Sequence, residues 1–82
     1  MDKQEILERV KKVTAEVLNV EPDQVNSESS FVNDLGAEST QSVQLVAGFE
    51  EEFDIEMEGE AALAVQTVGD AVDFMEPYIN RK

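Results

Sequence analysis

Apolar residues in this chain recur at the spacing of an α-helix, and no stretch alternates cleanly between apolar and polar residues. The clearest helical face would carry Ile6, Val10, Val13 and Val17. Together with cap-forming residues such as Asp2 and Thr67, this spacing predicts helices at residues 3–18, from 38 or 39 to 53, in a short piece at 60–65, and from 67 onward. The sequence therefore predicts an all-α fold without strands.

The same spacing predicts which faces of the later helices point inward. The second helix should bury Val43, Val46, Phe49 and Phe53, with Leu45 on the flank. The last helix should bury Val68, Ala71, Val72, Met75 and Ile79. Because Pro77 lacks a backbone N–H and its ring clashes with the preceding turn, we expect this helix to kink or stop near Glu76.

A long loop separates the first two helices. Residues 19–37 are rich in Asn, Ser, Pro and Gly, which favour turns and caps over a periodic element. Loops of this length are uncommon unless they are functional or held in place. Four apolar residues are spaced along it and could pack on the core, and we therefore expect an ordered loop: Val20, Val25, Phe31 and Leu35.

Length and charge limit the organisation and the partners. The 82 residues predict a single domain, residues 1–82, with a thin core. Nineteen acidic residues against six basic ones give a formal charge of -13, and residues 13–80 contain no cation. Nucleic acid is excluded as a partner, because it needs Lys and Arg to displace its counterions. A protein partner should instead present a basic surface.

The inventory of reactive side chains argues against catalysis. The chain has no Cys and no His, so disulfides, thiolate metal sites and the usual nucleophiles and general bases are missing. Residues 1–5 show no signal-peptide pattern, and no apolar run approaches the roughly 18 residues that span a bilayer. We expect a monomeric cytoplasmic protein that is not an enzyme and does not insert into membranes.

Ser39 is the candidate for chemistry because it follows a Gly-containing turn at the start of an amphipathic helix. Backbone amides and the helix dipole at such a position favour an adjacent anion by about 0.3 to 1 kcal/mol, so a phosphate ester on Ser39 would be well placed. The simpler alternative is that Ser39 only caps the helix. Spacing alone does not separate the two interpretations.

The motif around Ser39 resembles the central motif of the acyl carrier proteins. The similarity runs through residues 34–39, Val43, Leu45, Val46 and the acidic run 50–54, and comparable residues occur at 8–13, 30–31 and 67–68. It therefore covers nearly the whole chain. The resemblance implies a four-helix bundle, with three longer helices and one short one.

The resemblance also implies a function. A phosphopantetheinyl transferase would attach 4'-phosphopantetheine from coenzyme A to Ser39, using magnesium. The thiol of this arm would carry acyl groups as thioesters to acyl-transferring and condensing enzymes of fatty acid, lipid or polyketide synthesis. A peptidyl or aminoacyl carrier follows the same logic and stays open. So does an unmodified acidic helical adaptor that binds a basic protein.

Two departures from the family pattern suggest a specialised carrier. Glu38-Ser39-Thr40 stands where the family usually has Asp-Ser-Leu, and Gln41 and Gln44 stand where acidic residues are usual. We predict that partners dock on Glu38, Thr40, Gln41, Gln44, Glu50 and Glu51. The alternative is that these side chains only form the solvated face of a helix.

The interior offers a place for an acyl chain. We predict that the chain lies between helices among Val43, Phe49, Met57, Ala62, Val65, Ala71 and Met75. Burial would stabilise it by about 0.8 kcal/mol per methylene. The alternative is that these residues are only core.

A calcium site is the rival hypothesis from another class. Asp54, Glu56, Glu58 and Gly59 match positions one, three, five and six of an EF-hand loop, but position twelve is Val65 where a bidentate Glu is needed. We therefore predict no dedicated metal site. Loose binding of divalent cations by residues 50–60 stays a hypothesis.

Overall fold

The fold consists of four helices around one apolar core. The computed structural model describes residues 1–80, in which α1 spans Lys3–Leu18, α2 Ser39–Phe53, α3 Gly59–Leu63 and α4 Val68–Ile79. Within that range there is no strand, and Ser30 and Thr67 form only an isolated antiparallel bridge. The predicted all-α fold with three longer helices and one short helix is confirmed.

The helix ends are set by capping hydrogen bonds and by residues in the left-handed conformation, and the caps at Asp2 and Thr67 were predicted from the sequence. The Asp2 carboxylate accepts a hydrogen bond from the Glu5 N–H at 2.8 Å, and the Thr67 hydroxyl accepts one from the Asp70 N–H at 3.1 Å. At their carboxyl ends, α1 and α2 stop at Asn19 and Asp54, which both adopt left-handed backbone conformations. Such residues satisfy the last carbonyls of a helix.

The core lies where α1 packs against α2 and α4. It is formed mainly by aliphatic and aromatic residues from these helices and the long loop, among them Ile6, Val10, Val13, Val25, Phe31, Leu45, Phe49, Phe53, Val68, Val72 and Met75. The inward face of α4 is confirmed from Val68 to Met75, while Ile79 is half-buried.

The predicted inward face of α2 was wrong at Val43 and Leu45, and Val46 is half-buried. Val43 is 58% exposed, whereas Leu45, expected on the flank, is buried, as are Phe49 and Phe53. Both assignments fit helical spacing. Leu45, Phe49 and Phe53 belong to the core, whereas Val43 lies outside it.

Of the expected kink or stop near Glu76, the stop was wrong. Helix α4 continues through Pro77 to Ile79, and the Asn80 N–H still donates to the Glu76 carbonyl at 2.9 Å. Proline removes one donor, but the side chains of Tyr78 and Ile79 pack partly against the core and hold the last turn in helical conformation.

The loop between α1 and α2 is ordered, as predicted. Val25 and Phe31 are buried, and Val20 and Leu35 are partly buried against the core. A 3-10 turn at Pro22–Gln24, which the sequence analysis did not predict, begins the loop.

The basic residues of α1 join the three long helices. Lys3 contacts Asp73 of α4 at 2.9 Å, and Glu52 of α2 lies 3.3 Å from Lys12 and 3.7 Å from Arg9. The hydrogen bond that Lys3 donates to the Asp73 carboxylate raises the pKa of Lys3 above its ordinary value of 10.5. Exposed ion pairs add little stability, so their main effect is to neutralise acids along these contacts. No helix within residues 1–80 is both long and apolar enough to cross a membrane.

One buried group in the core lacks a partner, and this predicts a stabilising substitution. Thr14 on α1 is fully buried, and its hydroxyl makes no hydrogen bond within the described residues. Thr14→Val keeps the shape and removes the unsatisfied oxygen, so the free energy of unfolding should rise by about 1 kcal/mol in urea denaturation. Thr40→Val, at an exposed position of α2, is the control and should change little. A loss of stability in Thr14→Val would contradict the prediction.

Candidate functional site

Ser39 is exposed at the first position of α2. The capping residue is Glu38, whose extended backbone precedes the helix, so the simpler interpretation of Ser39 as the cap was wrong. The first N–H groups of a helix have no partner within the helix, and Ser39 belongs to this first turn of α2. The position fits an ester-linked phosphate, because it is accessible and adjoins the positive end of the helix dipole.

The turn before Ser39 is fixed by backbone geometry and one buried residue. Gly36 has a φ of 72°, a left-handed conformation that favours glycine. Ala37 is buried, and its N–H donates to the Phe31 carbonyl at 2.8 Å. The Asp34 carboxylate accepts a hydrogen bond from the Ser30 N–H at 2.7 Å, so the acidic residue of the motif builds the turn.

Three backbone hydrogen bonds tie the long loop to the start of α4. Phe31 donates to the Gln66 carbonyl at 3.0 Å, Val68 to the Ser29 carbonyl at 3.0 Å, and Gly69 to the Ser27 carbonyl at 2.8 Å. These bonds place residues 27–31 against another helix. The loop that ends at Ser39 is therefore anchored at a distant part of the chain.

Two of the predicted docking residues form a capping box at the start of α2. The Gln41 amide oxygen accepts from the Glu38 N–H at 2.9 Å, and the Glu38 carboxylate faces the Gln41 N–H. Gln41 is accordingly half-buried, while Glu38 is exposed. The sequence analysis missed this pairing, although the three-residue spacing of a capping box is a signal that could have found it.

Of the other predicted docking residues, three are exposed and one makes a hydrogen bond within the protein. Thr40, Gln44 and Glu51 are exposed along α2. Glu50 is half-buried, and its carboxylate accepts a hydrogen bond from the Met57 N–H at 2.8 Å, across the turn that follows α2. No sequence signal indicates this contact, because its partner is a backbone group seven residues away.

A cavity lies between α2, α3 and α4. Its lining includes six of the seven residues predicted to contact an acyl chain, namely Phe49, Met57, Ala62, Val65, Ala71 and Met75. Val43, the seventh, is exposed and lies outside the cavity. The cavity measures about 60 Å³, which is small beside the roughly 300 Å³ at which ligand pockets begin. An acyl chain of several carbons would require its walls to move apart.

Two of the acidic residues after α2 lie at helix ends. Asp54 closes α2, and the Glu58 carboxylate caps α3 by accepting from the Glu60 and Ala61 N–H groups at 3.1 and 3.4 Å. Within residues 1–80 no three potential metal ligands cluster closely enough to hold an ion.

Comparison with known proteins identifies the family. Residues 8–75 match the family model described as a phosphopantetheine attachment site. The chain is 54% identical over 71 residues to an acyl carrier protein of Caulobacter vibrioides, covering 87% of this chain and 91% of the relative. It is 51% identical over 72 residues to that of Phenylobacterium zucineum, covering 88% and 91%.

A match of this extent defines a phosphopantetheine-carrying domain. The chain belongs to the acyl carrier protein family, and it carries acyl groups on a 4'-phosphopantetheine prosthetic group. The resemblance noted from the motif around Ser39 is thereby confirmed at the level of the family.

The anchoring of the loop predicts the effect of a single methyl group. A Cβ on Gly69 would lie 2.8 Å from the Ser27 carbonyl oxygen, so Gly69→Ala should push the loop off α4 and lower the free energy of unfolding by about 1 to 3 kcal/mol. Gly59→Ala is the matched control, because nothing lies within 4 Å of its added Cβ, and it should be neutral or slightly stabilising. Equal effects of the two in thermal denaturation would contradict the prediction.

Proposed function

We propose that Ser39 is the residue to which the phosphopantetheine arm is attached. The observation that carries this proposal is the exposed hydroxyl at the first position of α2, at the end of a turn pinned by Ala37. Coenzyme A bound to a transferase could approach this hydroxyl without unfolding the bundle. Ser42, one turn further, is half-buried and lines the cavity, which supports Ser39 over its neighbour.

The loading reaction would be a phosphoryl transfer. The Ser39 oxygen would attack the phosphorus that bears the pantetheine arm in coenzyme A, forming a phosphodiester as the bond to the second phosphate breaks. Adenosine 3',5'-bisphosphate would leave, and the hydroxyl proton would pass to a base of the transferase. When bound, the arm supplies the thiol that this chain lacks. The chain itself would hold the phosphodiester at the amino end of α2.

The loaded protein would present its cargo to acyl-transferring and condensing enzymes without catalysing a reaction itself. Glu38 before α2, and Thr40, Gln44 and Glu51 along it, are exposed and would meet basic partner surfaces. Contacts of this kind speed association and are weakened by salt, which suits a carrier that must leave each enzyme. We expect it to act as a single-domain monomer in the cytoplasm, where a transferase has access to coenzyme A.

The cavity between α2, α3 and α4 would shelter the acyl chain between encounters. Its lining is almost wholly apolar, with Ser42 the polar residue. Residues such as Phe49 and Met75 would contact the chain, and Val43, outside the cavity, would lie on the docking face instead.

The attachment site is tested by intact mass. After incubation with coenzyme A, magnesium and a phosphopantetheinyl transferase, the protein should gain the mass of one phosphopantetheine, and Ser39→Ala should gain none. Ser42→Ala is the control and should still be modified, because that side chain is half-buried at the cavity. Absence of modification in the unaltered protein would favour an unmodified acidic adaptor.

The exposed Thr40 should determine which transferases act on the protein. Its hydroxyl weakens apolar contact at a position directly after Ser39. Thr40→Leu should therefore raise the rate of modification by a transferase of broad specificity, by about tenfold for one additional buried apolar side chain. Gln44→Leu, one turn further along α2, is the control for a non-specific increase in apolar binding to the transferase. No gain in Thr40→Leu would count against a specialised carrier.

A further inference from the structure

One wall of the cavity contains the helix with the least burial. Met57, Ala62, Leu63 and Val65 form this wall, which includes the short helix α3. No residue of α3 is buried, and Leu63 is 49% exposed. By contrast, the walls from α2 and α4 are built from long helices whose inward residues belong to the core. If the cavity enlarges to admit a chain, the α3 wall is the one expected to move.

Two hydrogen bonds join the ends of this wall to the rest of the protein. At one end, the Gln66 carbonyl accepts from the Phe31 N–H at 3.0 Å, a bond between neutral backbone groups. At the other end, the Met57 N–H donates to the Glu50 carboxylate at 2.8 Å. Met57 itself is buried. Only the second bond has a charged member, so only that bond responds strongly to an added charge nearby.

Glu50 lies in the last turn of α2 and makes hydrogen bonds to the segment that joins α2 to α3. Its carbonyl accepts from the N–H groups of Asp54 and Ile55, and its carboxylate accepts from Met57. The other two members of the acidic run differ: Glu52 is paired with Arg9 and Lys12, and Glu51 is exposed. Of the three consecutive glutamates, Glu50 alone links the surface of α2 to the cavity wall.

We propose that Glu50 is a positioning residue whose carboxylate fastens the α3 wall of the cavity and releases it when a basic partner surface draws that carboxylate away. The Met57 N–H then loses its acceptor, and the segment from Met57 to Val65 loosens over the cavity. Docking at α2 would thus favour exit of the acyl chain. This inference rests on the proposed function of the cavity, but its first test does not.

The first test measures hydrogen exchange of the Met57 amide by NMR in the protein without any arm attached. Removing a charged acceptor should raise the exchange rate at least about tenfold in Glu50→Ala. Glu51→Ala is the matched control, with the same charge change one position along α2, and should leave the Met57 rate unchanged. Equal rates in the two variants would overturn the proposal. Glu50→Gln, which keeps an acceptor oxygen, should restore most of the protection.

The second test asks whether charge releases the wall. A tetra-arginine peptide, added at low salt as a stand-in for a basic partner, should speed Met57 exchange severalfold in the unaltered protein. It should have no such effect in Glu50→Gln, whose side chain keeps the hydrogen bond but offers no charge. A purely structural role of Glu50 would give no acceleration in either protein. That result, or equal acceleration in both, would overturn the proposal.

The third test connects the wall to cargo. Loading with an octanoyl arm should raise the melting temperature, and Glu50→Ala should reduce that increase relative to Glu51→Ala. An equal increase in both variants would overturn the link to cargo. If Ser39 cannot be loaded at all, the proposed attachment site fails instead, and the exchange results on the unloaded protein still decide whether Glu50 fastens the wall.

Discussion

The arrangement depends on the backbone hydrogen bonds that join the long loop to the start of α4. Residues 27–31 bond to residues 66–69, and Gly69 must lack a side chain because its Cβ would meet the Ser27 carbonyl at 2.8 Å. The loop in turn fixes Ala37 through Phe31, and Ala37 precedes the exposed Ser39 by two positions. A thin core could not immobilise so long a loop by apolar contacts alone, so these bonds determine where the hydroxyl is presented.

Among the described residues, the basic side chains are confined to one helix, where they pair with acids, and the start of α2 carries none. The four cations within residues 1–80 lie on α1, where they pair with acids of α1 itself, with Glu52 of α2 and with Asp73 of α4. The front of α2 has no cation of its own, and Thr40 and Gln44 replace charge there with neutral polar groups. The surface around Ser39 therefore carries the exposed Glu38 together with the neutral polar side chains of Thr40 and Gln44.

The run of three glutamates at the end of α2 shows how the same residue type acquires different roles. Glu50 bonds to the Met57 backbone, Glu51 is exposed to solvent, and Glu52 lies between Arg9 and Lys12. Successive helical positions point about 100° apart, so three neighbours face a turn, solvent and another helix in succession. Of the two glutamates in this run that the sequence assigns to docking, packing therefore engages Glu50 with the Met57 backbone and leaves Glu51 exposed, while Glu52 pairs with cations of α1.

The sequence by itself determined the helices, the ordered loop and the family. Periodic apolar residues, caps at Asp2 and Thr67 and the motif before Ser39 are local features, and local features are readable from spacing. Only the tertiary structure decided that Leu45 and not Val43 is buried, that α4 continues through Pro77, and that Glu50 binds Met57. Those outcomes depend on which neighbour each side chain meets. Where a helix has two possible apolar stripes, or contains a proline, packing rather than propensity decides which face is buried and where the helix ends.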